Sequence, residues 1–346
     1  MPSTDRPAKL TRIRELLDAR GARELMLTAP ENLAWLFDGA RVQVPYAGAS
    51  VLRAVVDREG GIRVHAHANE VDRLAQEELP EIPIHPVPWS ESLPDPAPGT
   101  LVDTALTAEL RELRAVLLPA ERARYEVLGA EVARAVTSVL RDARPERSER
   151  QLAGELARAV VALGAEPVVL LVAGSSRLTW RHPLPTAALL GRRAMAVVGA
   201  RRHGLVVNLT RWVRFGAADA AEAAADAALR EVEAAAFAAT RPGRTLAEAL
   251  TDIRDAYPAH GFDAEEWTRH HQGGPTGYLG RDPKASFATH DIIRAGQAFA
   301  WNPSVPGAKV EDTVIVDADG IRVLTADPDW PSTSVHGLDR PLELQL

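Results

Sequence analysis

The sequence predicts an α+β protein in two parts, a smaller mixed α/β unit followed by a larger one, and three observations carry this. Helix-like and strand-like periodicities alternate through the N-terminal third. A Pro-rich patch, Leu93-Pro94-Asp95-Pro96-Ala97-Pro98-Gly99, then marks a surface loop, with a long helical run starting beyond Leu118-Pro119. After that point two helix pairs each lead into a strand pair, a weak internal repeat. The expected units are residues 1–118 and 119–346.

In order, Leu10, Ile13, Leu16 and Leu17 sit at helical spacing with Gly21 as a stop, and Glu24–Thr28 reads as a short buried strand. Beyond Pro30, strands follow at Val51–Val56 and Ile62–Ala66, then a helix near Asn69–Glu78 and a strand at Ile82–Val87. Residues Ala120 to Ala143 are strongly helical. Ser148-Glu149-Arg150-Gln151 has the form of a capping box opening the next helix, to about Leu163. A strand (Pro167–Val172), a loop (Gly174–Thr186) and two strands (Ala194–Val198, Gly204–Leu209) follow. The Ala-rich Ala217–Thr240 and Leu246–Ala256 are helical, Gly273–Gly280 is glycine-rich, and a hairpin and a tail complete the chain.

Bulk properties exclude several function classes. A net charge of -7 over 346 residues leaves no basic footprint for nucleic acid. Lysine occurs only at Lys9, Lys284 and Lys309, and there is no cysteine, hence no disulfide, thiol nucleophile or Cys-ligated metal. No apolar run approaches the ~20 residues that span a bilayer, and the N-terminus has no signal-peptide core. A cytoplasmic protein without nucleic-acid or membrane partners is expected.

The chemistry centres on Gly296 to Val316, GQAFAWNPSVPGAKVEDTVIV, where two apolar runs flank a Pro/Gly loop in the pattern of a β-hairpin. The segment GAKVEDTVIV is similar to a "GxRxEDTVLV" stretch of the creatinase/Xaa-Pro aminopeptidase (M24) superfamily. Three further segments extend the resemblance in the same order. They are Trp180-Arg181-His182-Pro183-Leu184-Pro185-Thr186, then Ala196 to Arg211, and His270-His271-Gln272-Gly273-Gly274-Pro275-Thr276-Gly277-Tyr278. The resemblance implies a C-terminal pita-bread domain preceded by a creatinase-type N-terminal domain, and a homodimer.

Carried over residue by residue, the five metal-ligand positions of that family fall on Val197, Asn208, Gly274 or Pro275, Asn302 and Glu311, so that only Glu311 retains a ligand carboxylate. Two divalent ions about 3.5–4 Å apart repel by roughly 20 kcal/mol at an effective dielectric near 20. One glutamate and two neutral amides do not offset that. The expectation is therefore no metal and no cofactor, and no dinuclear aminopeptidase site. His270 and His271, being adjacent, would point to opposite faces of a strand and not share an ion. A two-histidine, one-carboxylate site drawing on His182, His203, one of that pair and Glu311 is a weaker alternative.

The resemblance to creatinase, a metal-free relative, makes His182 the expected catalytic proton-transfer group and Glu311 its carboxylate partner. Arg281 would pair with a substrate carboxylate. Asn208, Asn302, His270 and His271 would orient the substrate, and Trp180, Tyr278 and Trp301 would wall an aromatic pocket. Three functions follow: a metal-independent enzyme acting on a small amide, amidine or carboxylate-bearing metabolite; a non-catalytic pseudo-peptidase that binds a ligand; and an Xaa-Pro aminopeptidase or dipeptidase, should the ligands lie elsewhere.

Overall fold

The computed structural model describes residues 5–346; Met1 to Thr4, the start of the stretch read as lacking a signal-peptide core, lie outside them. The chain divides into two compact units, residues 5–124 with 203–205, and residues 125–202 with 206–346.

In the first unit the helices are α1 (Arg6–Arg20), α2 (Pro30–Leu36), α3 (Ala68–Arg73) and α4 (Thr107–Ala115). The strands are β1 (Glu24–Leu27), β2 (Leu52–Asp57), β3 (Ile62–His67), β4 (Ile84–Val87) and β5 (Leu101–Val102), in one sheet of order β4-β3-β2-β1-β5. The expected alternation is present; β5 and α4 lie in a stretch where no element was expected. The helix near Asn69–Glu78 is in two pieces, α3 and a π-type turn over Leu74–Glu78. Two buried polar groups tie this unit together. Lys9 Nζ lies 2.9 Å from Glu121 and 2.6 Å from the Trp35 carbonyl, and Asp103 accepts from Thr28, Ala29 and Asn32 at the start of α2.

The helix α5 (Pro119–Arg141) runs into the second unit. There α6 (Glu149–Ala162) leads to β6 (Glu166–Gly174), β7 (Arg193–Arg202) and β8 (Leu205–Arg214). The helices α7 (Ala220–Ala239) and α8 (Leu246–Ala259) lead to β9 (Gly273–Thr276) and β10 (Gln297–Trp301). After a small hairpin of β11 (Ser304–Val305) and β12 (Ala308–Lys309) come β13 (Asp312–Asp317) and β14 (Gly320–Val323). The tail, to which no element was assigned from sequence, forms β15 (Ser332–Val335), β16 (Leu338–Pro341) and β17 (Leu344–Gln345).

The internal repeat is visible as two four-stranded sheets, β17-β8-β7-β6 and β14-β13-β10-β9, each preceded by two helices. The expected hairpin is β10 against β13, antiparallel, with Trp301 opposite Asp312. Its core face packs on α7 and α8 through Phe299, Trp301, Val314 and Val316. That packing orients the strands: alternate residues go to the helices, and the others are left for the opposite face.

The capping box at α6 is present in both directions. Ser148 Oγ accepts from the Gln151 amide at 3.2 Å, and Gln151 Oε1 from the Ser148 amide at 2.8 Å. Ser148→Ala should therefore lower stability by about 1 kcal/mol, read from urea unfolding; an unchanged midpoint and slope would show the cap to be dispensable.

Candidate functional site

The loop carrying His182 is fixed at both ends by one buried carboxylate. Glu149 Oε1 accepts from the Gly174 amide at 2.9 Å, and Oε2 accepts from the Thr186 amide and hydroxyl at 2.9 and 2.7 Å and from Arg177. Within the loop, Arg181 pairs with Glu266, which sits in the 3₁₀ turn Glu266–Arg269 just ahead of His270. His182 is thereby set against the His270–His271 pair. His182 Nε2 lies 3.0 Å from His270 Nε2, and the ring centres of His270 and His271 are 4.5 Å apart. The expectation that adjacent histidines point apart is overturned. Residues 270–272 lie between the 3₁₀ turn and β9, outside any strand, so strand alternation does not govern them.

Gln272 locks this segment: its amide donates to the carbonyls of Trp267 and His270 at 2.9 and 2.7 Å, and its oxygen accepts from Tyr257 at 2.8 Å. Ser304 Oγ is 3.2 Å from His270 Nδ1. Burial and the nearby cations Lys309, Arg281 and Lys284 hold all three imidazoles in the neutral form. His270 is pushed down to about 2 and His271 to about 4, chiefly by burial, and His182 is also lowered.

Glu311 is saturated. Its Oε1 accepts from Arg281 at 2.5 Å and its Oε2 from Lys309 Nζ at 2.7 Å and Thr210 Oγ1 at 3.0 Å. Burial alone would raise this carboxyl, but the two cations hold it at about 2. Burial pushes the Lys309 ammonium down while Glu311 pulls it back up; with two cations on one carboxylate, the pair is ionised. Sequence reasoning missed Lys309, Thr210, Glu149 and Ser304. The signal for Lys309 was its i, i+2 spacing to Glu311, which puts both on one side of an extended segment.

The other expected site residues separate. Asn208 Nδ2 donates to Thr276 at 3.3 Å. Asn302 Oδ1 is buried without a partner among the described residues. Arg281, expected to meet a substrate carboxylate, is engaged by Glu311. Trp301 does not wall a pocket: it is fully buried on the helix side, stacked on Phe299 and donating to Thr240. Trp180 is 58% exposed and lies over Arg177, while Tyr278 is buried. His203 occupies the β7–β8 turn with φ 51° and belongs with the first unit.

The residues at the positions implied for metal ligands do not fit a pair of divalent ions. Val197 packs into an apolar cluster with Leu171, Ala173, Met195 and Trp212. A Cβ on Gly274 would come within 2.6 Å of the Pro283 carbonyl oxygen, so a side chain has no room there. The one carboxylate is already taken up by two resident cations.

The comparisons with known proteins agree with the architecture. A family model described as metallopeptidase family M24 matches residues 124–318. The probable dipeptidase PepE of Mycobacterium tuberculosis (strain ATCC 25618 / H37Rv) is 29% identical over 247 residues, which is 68% of this chain and 64% of that protein. The match thus spans just under two thirds of the curated relative's length. Among solved structures, the dipeptidase PepE from Mycobacterium ulcerans matches with a TM-score of 0.77 and 20% identity over 100% of both chains. The prolidase from Pyrococcus horikoshii OT3 matches with a TM-score of 0.76 and 18% identity, covering 92% of this chain and 98% of that one. Both likenesses speak to fold: a pita-bread domain behind an N-terminal α/β domain. With more than half of the residues matched by the family model, and with two helix-led sheets flanking the histidines and Glu311, this chain belongs to metallopeptidase family M24, in the creatinase/Xaa-Pro aminopeptidase superfamily.

Proposed function

We propose that this chain acts on a small amide carrying a carboxylate, of about dipeptide size, using protein-borne cations where its family resemblance puts metal ions. The observation that carries the reading is Glu311 held between Arg281 and Lys309. The chemistry assigned to each group follows from its surroundings. Neutral His182, at the exposed edge of the cluster, accepts a proton from the attacking water, a step worth ~10²–10⁴-fold. His270, hydrogen-bonded to it, fixes its orientation. The cations around Glu311 exceed its charge by one, and that excess favours an anion, either the substrate carboxylate or the oxyanion that forms at the amide carbon. The dipeptidase names of the relatives support the substrate size.

Those same names favour a second reading, a metal-dependent dipeptidase. The two separate on a panel of dipeptides, Xaa-Pro included, offered to chelator-treated and dialysed protein. The expected result is turnover unchanged by the chelator and reduced at least ~100-fold in His182→Ala. Turnover lost on chelation and restored by manganese or cobalt would establish the second reading. Saturable binding of a dipeptide with no turnover under either condition would instead indicate a non-catalytic binding protein, the second of the sequence-based expectations. Among the described residues no helix is long and apolar enough to cross a membrane.

A further inference from the structure

Beyond hydrolysis, we propose that His182, His270 and His271 form a binding site for one borderline transition-metal ion of the zinc class. The site is distinct from the positions at which the family resemblance puts metal ligands. Filling it would withdraw His182 from proton transfer, a consequence that rests on the function proposed above; the binding itself does not.

One ring nitrogen from each histidine lies within 4.8 Å of the other two. A tetrahedral zinc ion with Zn–N bonds of ~2.0–2.1 Å holds its nitrogens roughly 3.3 Å apart. The 3.0 Å between His182 Nε2 and His270 Nε2 is close to that spacing. His182 is exposed, and its ring already lies against those of His270 and His271, with centres 4.9 and 5.9 Å away. Ser304 Oγ occupies His270 Nδ1, which leaves Nε2 to face the ion, the arrangement by which a hydrogen bond on one ring nitrogen selects the other for a metal. His271 Nδ1 is buried with no hydrogen-bond partner among the described residues, and such an orphan is destabilising until something satisfies it.

The neighbouring charges decide which ion fits. Lys309, Lys284 and Arg281 disfavour added positive charge on these rings and Glu311 favours it, a net positive surrounding. An ion held mainly by charge, such as magnesium or calcium, is disfavoured there and also lacks oxygen ligands. An ion bound through nitrogen lone pairs tolerates the field, and neutral imidazole suits zinc, nickel or cobalt. The exposed side of His182 leaves a fourth position to water.

The test is titration of the full-length, untagged chain with Co²⁺, read by its visible absorption, followed by displacement with Zn²⁺ and by elemental analysis. One ion per chain is expected, with binding about 10- to 100-fold weaker in His182→Ala, His271→Ala and Ser304→Ala. It should be unchanged in His336→Ala, whose exposed histidine pairs with Glu231, and unaffected by excess Mg²⁺. Circular dichroism shows whether each variant is folded, and His182→Ala, at the surface, reports even if His271→Ala is not. No saturable binding, or stoichiometric binding that survives His182→Ala, would overturn the site. If metal-free protein turns over dipeptides, zinc should inhibit in proportion to occupancy. If it turns over none, the binding measurement still decides the site, and only the hydrolytic reading fails.

Discussion

Glu311→Gln should destabilise the protein by about 3–5 kcal/mol at pH 7, the cost of removing one partner from a buried ionic cluster. Glu311 and Lys309 are both buried and Arg281 nearly so, and the two cations meet at the two oxygens of one carboxylate. A glutamine keeps the shape and the Thr210 contact but leaves both positive charges uncompensated away from water. Urea unfolding of variant and parent at pH 7 measures the effect, and a loss below about 1 kcal/mol, the size of an exposed ion pair, would show that water reaches the cluster.

The same carboxyl sets a pH dependence. Its folded value is depressed from 4.5 to about 2. Its contribution is therefore fully present above pH 4.5 and is lost as the pH falls through about 2. A shift of that size corresponds to about 3 kcal/mol. Other groups also titrate in this window, so the comparison that isolates Glu311 is the difference between parent and Glu311→Gln. That difference should shrink between pH 4.5 and 2. Parallel stability curves for the two proteins across this range would contradict it.

The second large effect is expected at Gly273. Its φ is +103°, and an added Cβ would stand 2.2 Å from the Ala300 carbonyl oxygen and 2.8 Å from Trp301 Cα. Both are backbone atoms of β10, the strand that β9 pairs with and that the α7–α8 core holds from behind, so neither can yield cheaply. Gly273→Ala should cost about 3–5 kcal/mol, combining backbone strain of ~1–3 kcal/mol with overpacking of similar size. Gly216 is the internal control. It has the same φ, +103°, with nothing within 4 Å of an added Cβ, so Gly216→Ala reports the conformational part alone, about 1–2 kcal/mol. Equal losses in the two variants, measured by urea unfolding, would mean that the β9–β10 approach is looser than the geometry indicates.

What was legible in the sequence follows from what kind of information each feature needs. The Ala-rich helix, the capping box at Ser148 and the β10–β13 hairpin are local patterns, and each is present. The family, too, was legible from four short segments in order. The site was not, because its assembly depends on contacts between distant segments: Arg181 to Glu266, His182 to His270, Arg281 to Glu311. The reading of Trp301 failed because strand alternation gives two faces without saying which one meets the helices. The pairing of Lys309 with Glu311 was within reach, being a two-residue spacing beside one of the chain's few lysines.

The last strand has a consequence for how the molecule is made. β17 pairs in parallel with β8, Leu344 opposite Val213, and so closes the outer side of a sheet whose other members were synthesised more than a hundred residues earlier. Until β17 pairs, the backbone of Val213 and Arg214 is an open edge at the end of a strand that is buried throughout in the finished fold. An unpaired edge of that kind is a template for pairing with another chain, so a chain whose β17 is prevented from docking should be more prone to self-association.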